Sequence, residues 1–276
     1  MKLNRKDKSL ILFTTFICLT LILAALLLTS YSKYKAEEKE LEQLSSLVST
    51  TSAEENVTAV NTEEKVDTKD DVVLEKKMLP QYASLYEQNP ELFGWIRIDG
   101  TVIDYPVMQS PDNPEFYLNH AFDLSESQSG LPFLEADCTD GGLIYLLYGH
   151  HLKNGNMFAA ITKYADVTFF KEHPTISFDT LYEEGEYQVF AAFYSRVYYS
   201  NEKNVFRYYQ YTDLSDPEVF EDYVEQVKAA NLYDTNIDIN YGDTLLTLTT
   251  CNYHTENGRF VIVAKKMDVP EETSNS

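Results

Sequence analysis

Seven short runs with the composition of β-strands constrain the fold of this chain more than any other feature. They are rich in β-branched and aromatic residues and comprise residues 94–98, 102–107, 143–148, 175–180, 185–197, 244–250 and 259–265. Turn signals such as Asp99-Gly100 and Asn257-Gly258 separate them. Seven or eight strands in about 190 residues predict a mainly β domain, either a barrel or a sandwich, over residues 80–268.

Two segments within this domain are predicted to be helices. Residues 80–89 place apolar side chains on one side, and residues 216–231 carry apolar side chains at helical spacing. Asp213 and Ser215 are candidate caps of the second helix. Because this helix falls between two strong strand signals, it belongs to a long connection. It either covers one end of the β domain or forms a wall of a substrate groove.

An apolar run over residues 9–29 predicts one transmembrane helix. At about 1.5 Å per residue, the run spans roughly 30 Å, the thickness of the hydrocarbon core of a membrane. Lys2, Arg5, Lys6 and Lys8 precede it. This charge distribution predicts a cytoplasmic segment 1–8 and places the rest of the chain outside the cell. A cleaved signal peptide is the alternative, although the run is long and no clear small-x-small site follows it.

Residues 30–79 separate the apolar run from the β domain. Glu, Lys, Ser, Thr and Val dominate this segment. We expect a short charged helix at residues 35–47 and disorder at 49–71, so that the whole is an acidic flexible linker. The final residues, 269–276, are expected to be a disordered tail. The formal net charge of the chain is -22, which argues against a nucleic-acid partner because phosphate binding needs a basic surface.

Cys251 is the candidate nucleophile among the three cysteines of the chain. Cys18 falls inside the predicted membrane span, and Cys138 lies in a polar, turn-like stretch, where its position is interpreted as incidental. A disulfide between Cys138 and Cys251 is the structural alternative, since the predicted compartment tolerates disulfides. An unpaired thiol outside the cell is a liability unless it has a function, which favours catalysis at Cys251.

Alternation along residues 244–251 places Thr247, Thr249 and Cys251 on one face of a strand. The leucines between them are expected to point to the core, so the cysteine face points away from it. A hairpin at Asn257-Gly258 brings Arg259 back toward Cys251. There the guanidinium would favour a thiolate and stabilise an oxyanion. The alternative for Arg259 is a surface ion pair with a carboxylate.

The chain has five histidines, of which His150 and His151 follow the strand-like run 143–148. Such a position suits a general acid or base at an exposed strand end. A zinc site formed by His150, His151 and His254 matches no usual ligand spacing, so no metal is expected. His120 and His173 are expected to be ordinary surface or half-buried residues.

Several motifs together resemble a class B sortase over residues 80–266. They are FGWIRIDGTVIDYPV at 93–107, YLNH at 117–120, YGH at 148–150, NGNMF at 154–158 and TLTTC at 247–251. The resemblance implies an eight-stranded sortase β-barrel with an N-terminal helix. It also implies a helix in the connection between strands six and seven, which residues 216–231 match. The predicted transmembrane helix precedes this domain.

The same resemblance implies a cysteine transpeptidase that needs no cofactor or metal. Cys251 matches the family's nucleophile, His150 its catalytic histidine and Arg259 its arginine, while Tyr148 and Thr249 match positions that line the substrate groove. The substrates would be secreted proteins with a C-terminal sorting motif that is cleaved after threonine. The acceptor would be an amine of a peptidoglycan precursor or of a pilin.

This resemblance places the domain outside the cell on a single-pass membrane anchor. Two other functions remain open from the residues themselves. One is an extracellular cysteine peptidase that uses the same three residues, with water as the acceptor. The other is a membrane-tethered binding module in which Cys251 is inert.

Overall fold

The structure is a computed structural model that describes residues 5–58 and 76–268. The chain divides into two units, Met1–Gln43 and Leu44–Ser276. The first element is one long helix, α1 (Arg5–Thr58). Among the described residues, α1 contains the one stretch long and apolar enough to cross a membrane, Ile11–Ser49. Length and composition alone do not distinguish a membrane anchor from a signal sequence.

The prediction of a flexible linker at residues 30–79 is wrong for residues 30–58, because α1 continues to Thr58. Residues 30–58 contain neither glycine nor proline, and Lys35 pairs with Glu38 one turn away. Both features favour a continuous helix over a short one at 35–47. The remaining linker residues, 59–75, lie outside the described residues, as do 1–4 and the predicted tail, 269–276.

The second unit contains a closed barrel of eight strands, as predicted. The strands are β1 (Leu92–Arg97), β2 (Asp104–Met108), β3 (Phe133–Leu134), β4 (Ile144–Gly149), β5 (Thr175–Thr180), β6 (Glu186–Arg196), β7 (Leu245–Cys251) and β8 (Gly258–Lys266). Around the barrel their order is β1-β2-β3-β4-β7-β8-β6-β5. Two pairs, β2–β3 and β4–β7, are parallel, and the others are antiparallel.

The seven predicted strands agree with seven of these within two residues at each end. The eighth, β3, has only two residues, too few to show any periodicity. Three further helices are α2 (Pro80–Gln88), α3 (Val167–Glu172) and α4 (Pro217–Ala230). The sequence predicted α2 and α4 but missed α3 and the 3-10 helix Phe158–Ala165 before it.

The outer face of β7 is buried beneath the connection between β6 and β7. Thr247 and Thr249 are at most 1% exposed. The hydroxyl of Tyr223 in α4 lies 2.6 Å from the Thr247 hydroxyl, and that of Tyr208 lies 2.7 Å from the Thr249 hydroxyl. The threonine face therefore points into a second packed layer rather than to solvent.

The N-terminus of α4 is capped by Asp216 rather than by Asp213 or Ser215. The Asp216 side chain accepts hydrogen bonds from the backbone N–H groups of Glu218 and Val219. Pro217 occupies the first turn, where no N–H partner is needed. Asp213 instead accepts from the Ser215 N–H at 2.9 Å in the preceding turn.

We predict that Asp216→Ala destabilises the barrel domain by about 1 kcal/mol, because it leaves N-terminal N–H groups of α4 without an acceptor. In a domain of this size, that loss lowers the unfolding midpoint by roughly 2–4 °C. Asp216→Asn retains an acceptor and is the matched control. Thermal unfolding of the full chain in detergent measures both variants. Equal midpoints for Asp216→Ala and Asp216→Asn would contradict the assignment of this cap.

Candidate active site

Three strand ends meet at one edge of the barrel. The parallel pairing of β4 with β7 aligns Gly149 with Thr250, so His150 follows beside the end of β7. The antiparallel pairing of β7 with β8 aligns Cys251 with Arg259. An imidazole, a thiol and a guanidinium thus lie at the ends of three neighbouring strands, although about a hundred residues separate the first from the other two.

A cleft of about 440 Å³ opens at this edge, and all five predicted site residues line it: Tyr148, His150, Thr249, Cys251 and Arg259. Its other walls include Leu118, Phe133, Tyr208 and Tyr209. Two larger cavities, of about 610 and 690 Å³, are lined by neither cysteine nor histidine. The cleft at the strand ends is therefore the cavity with the chemistry of a thiol-dependent site.

Tyr208 and Tyr209 belong to the 3-10 helix Tyr208–Gln210, in the connection between β6 and β7. They contribute to the cleft, whereas no residue of α4 does. Of the two interpretations of the helix at residues 216–231, the structure favours the cover and not the groove wall. The first part of the connection forms a wall of the cleft, and α4 covers β7.

His150 is oriented by a backbone carbonyl of the facing wall. Its Nε2 lies 2.8 Å from the carbonyl oxygen of Leu118. A carbonyl only accepts hydrogen bonds, so Nε2 carries the proton and donates. The other ring nitrogen, Nδ1, is left to accept or donate a proton. This arrangement fixes the tautomer, as a general acid-base group requires.

Arg259 has no carboxylate within ion-pairing distance in the described part of the chain. Its Nη1 donates instead to the carbonyl oxygen of Gly258 at 3.0 Å. The alternative of a surface ion pair for Arg259 therefore finds no support. Its positive charge remains available to a negatively charged group in the cleft.

Tyr148 and Thr249 are adjacent across the β4–β7 pair. The Tyr148 hydroxyl donates to Glu135 at 2.9 Å. Burial and the Glu135 charge raise the pKa of Tyr148, which keeps the phenol neutral. Burial likewise raises the pKa of Tyr208, the partner of Thr249. Tyr148, Thr249 and Tyr208 thus form an uncharged, hydrogen-bonded part of the cleft wall.

The other histidines have different partners. His151 Nδ1 lies 2.8 Å from the Cys251 carbonyl oxygen, a contact that the sequence did not reveal. His254 lies in the β7–β8 loop, with Nδ1 2.9 Å from Asn252 Oδ1. Among residues 5–58 and 76–268, no three His, Cys, Asp or Glu side chains are grouped to hold a metal ion. The zinc alternative therefore finds no support.

Cys138 and Cys251 are both free, so the disulfide alternative is not realised. Cys138 is only 2% exposed, and its Sγ lies 3.8 Å from the Thr212 carbonyl oxygen. Burial raises the pKa of the Cys138 thiol to about 11. Cys138 is therefore a buried packing residue that does not line the cleft, although its sequence neighbours are polar.

We predict that only Cys251 reacts with a charged maleimide at pH 7.5 in the full chain carrying Cys18→Ser. At this pH, a thiol with a pKa near 11 is almost wholly protonated, and Cys138 is also inaccessible. Intact-mass measurement should show one adduct, which the additional change Cys251→Ala abolishes. A second adduct on the native protein, at Cys138, would contradict this assignment.

We predict that Gly149→Ala displaces His150. A Cβ at position 149 would lie 2.5 Å from the Phe158 ring, and Phe158 N–H donates to the His150 carbonyl oxygen at 2.9 Å. The kcat of a reaction in which His150 transfers a proton should therefore fall about tenfold or more. Phe158→Leu in the same chain makes room and should restore part of the loss. Single and double variants that behave additively would rule out this clash as the cause.

The Sortase domain family model matches residues 96–267 of the chain. Sortase B of Listeria monocytogenes is 34% identical over 185 residues, which cover 66% of this chain and 72% of the relative. Sortase B of Staphylococcus aureus is 29% identical over 194 residues, covering 69% and 76% of the two chains.

Solved structures of sortase B proteins share the fold of this chain. The solved sortase B of Clostridium perfringens superposes with a TM-score of 0.60 at 31% identity, covering 67% of this chain and 98% of that one. A substrate complex of Staphylococcus aureus sortase B gives a TM-score of 0.68 at 24% identity, covering 85% and 98%. With the barrel and its cleft, these matches show that the chain belongs to the sortase family and, within it, to class B.

Proposed function

We propose that this chain is a membrane-anchored sortase that cleaves a C-terminal sorting motif after threonine and joins the new acyl group to an amine. The observation that carries the proposal is the meeting of Cys251, His150 and Arg259 in one cleft at three neighbouring strand ends. Family membership supports cysteine transpeptidation in general. The anchor, the motif and the acceptor are the specific parts of the proposal.

In the first half-reaction, the Cys251 thiolate attacks the carbonyl carbon of the threonine. A carbon–sulfur bond forms, and the carbonyl becomes an oxyanion beside the Arg259 guanidinium. As the carbon–nitrogen bond breaks, His150 in its imidazolium form gives a proton to the departing amine. The product is a thioester between Cys251 and the threonine carbonyl.

In the second half-reaction, an incoming amine attacks the thioester. His150, now neutral, takes the proton of that amine, and Cys251 leaves as the thiolate. The amide bond formed replaces the one that was broken, so no external energy source is needed. The protein supplies position, one proton shuttle and one fixed positive charge.

The apolar part of α1 supports anchoring to a membrane, with the catalytic domain on the outer side. The stretch Ile11–Ser49 is long enough to span the hydrocarbon core, and basic residues precede the apolar run. We propose that the substrates are secreted proteins that carry a Pro-x-Thr type of motif such as Asn-Pro-x-Thr. A peptidoglycan precursor or a pilin lysine would provide the amine.

The test uses the full chain in detergent with quenched Pro-x-Thr peptides, with and without triglycine. Triglycine is a rational probe because a sortase B has been solved in complex with triglycine. Mass spectrometry should show cleavage after threonine and a triglycine-linked product, both lost in Cys251→Ala. Hydrolysis alone would favour a cysteine peptidase. Turnover of no peptide, with an unreactive Cys251, would favour a binding module.

We predict that Arg259→Ala lowers kcat about 100-fold or more, because one oxyanion partner is lost. Arg259→Lys keeps the charge without the fork geometry and should fall between this variant and the parent. Arg97→Ala is the matched control, since Arg97 forms an exposed ion pair with Asp99 away from the cleft. Steady-state kinetics on the peptide measure all three. An Arg259→Ala enzyme as active as Arg97→Ala would remove Arg259 from the mechanism.

A further inference from the structure

His151 lies beside the nucleophile but does not line the cleft. Its Nδ1 is 2.8 Å from the carbonyl oxygen of Cys251. Because a carbonyl only accepts, Nδ1 of His151 carries a proton and donates it. The contact therefore joins a side chain of the segment after β4 to the backbone of the catalytic cysteine.

This hydrogen bond lies where the ladder between β4 and β7 stops. The last aligned pair is Gly149 with Thr250, and the Thr250 hydroxyl donates to the Gly149 carbonyl oxygen at 2.7 Å. Cys251 comes one residue later, beyond the last partner that β4 supplies. The imidazole of His151 takes the place of the missing backbone donor on that side.

His151 is itself held in place from two directions. Its backbone forms an isolated β-bridge with Met157, and its ring lies 5.7 Å from the ring of Tyr253 in the β7–β8 loop. On the opposite side of β7, Cys251 is aligned with Arg259 of β8. The end of β7 is therefore secured on both flanks, by a strand on one and by a single side chain on the other.

We propose that His151 is a positioning residue that holds the end of β7 so that the Cys251 thiol faces His150 and Arg259. It acts through the backbone carbonyl of Cys251 and does not itself line the cleft. The two adjacent histidines therefore have different roles. His150 exchanges protons in the cleft, and His151 fixes the strand that presents the thiol.

The expected effect on kcat rests on the proposed function. The expected change in thiol reactivity does not depend on it. Loss of the His151 hydrogen bond should lower kcat, because a nucleophile displaced by a fraction of an ångström reacts more slowly. KM should change little, because the substrate-lining residues are untouched. The Cys251 thiol should also react more slowly with iodoacetamide, since it no longer lies beside the Arg259 guanidinium and the His150 imidazole.

The experiment compares His151→Asn with His151→Leu in the full chain in detergent. Asn and Leu have nearly the same shape, and Asn Nδ2 stands at the position of His Nδ1 relative to Cβ, so the pair differs mainly in the hydrogen-bond donor. We expect His151→Leu to lower kcat about 10- to 100-fold and iodoacetamide reactivity several-fold, with KM within about twofold. His151→Asn should stay within about threefold of the parent in all three quantities.

His173→Ala is the control for removal of a histidine of the same kind. His173 Nδ1 lies 2.8 Å from the Asp99 carbonyl oxygen, and this residue does not line the cleft. We expect its kcat and iodoacetamide reactivity to equal those of the parent. Unfolding midpoints of all variants show whether a loss comes from the fold, and His151→Ala gives a second truncation without added apolar volume.

Equal values of kcat for His151→Leu and His151→Asn would overturn the proposal, as would a rise in KM that accounts for the whole loss. If no peptide is turned over even by the parent chain, the proposed function fails, but the iodoacetamide measurement still tests His151. Slower reaction in His151→Leu than in His151→Asn would then support the positioning role. Equal rates would refute it.

Discussion

The site depends on the position of β7 between a parallel and an antiparallel neighbour. A parallel neighbour ends at the same edge of the sheet, and an antiparallel neighbour begins there. Thus the strand order β4-β7-β8 and the register of its two pairs place the residue after β4, the last residue of β7 and an early residue of β8 side by side. A shift of one residue in either register would turn the Cys251 side chain to the opposite face. The chemistry of the chain is therefore specified by strand pairing between distant segments.

The second requirement is a closed layer over the outer face of β7. The connection between β6 and β7 supplies it through Tyr208 and Tyr223, whose hydroxyl groups meet Thr249 and Thr247 in buried contacts. Cys138 extends this layer by packing against the same connection at Thr212. Because water is excluded on this side, charges in the neighbouring cleft interact more strongly than they would on an open strand. The barrel thus carries its site on the outside, where a connection provides the walls.

Local sequence patterns predicted most of this fold, whereas the features that they missed depend on contacts between residues that are distant in the sequence. Seven strands were found by composition and turn signals, while β3 has two residues and exists only through its neighbours. The sequence offers Asp213 and Ser215 as candidate caps of α4 because several good capping residues stand together, and only the start of the helix at Pro217 selects Asp216. Cys251, His150 and Arg259 were identified from strand ends and motifs. His151 was missed because its partner is a backbone carbonyl, which every residue has and no sequence pattern distinguishes.

Because acidic residues are in large excess, it is notable that Arg259 forms no ion pair in the described part of the chain. The chain has 44 acidic and 22 basic residues, and two arginines of the barrel domain, Arg97 and Arg196, each pair with a carboxylate. The cleft nevertheless has neutral Tyr148, Thr249 and Tyr208 beside Arg259. The nearby carboxylate of Glu135 is engaged by the Tyr148 hydroxyl and by the Ala136 N–H. A carboxylate paired with Arg259 would compete with any oxyanion that forms at the thiol, since both need the same donors. Although Glu115 and Glu135 also line the cleft, neither pairs with Arg259, so its donors remain available to an oxyanion that forms at the thiol.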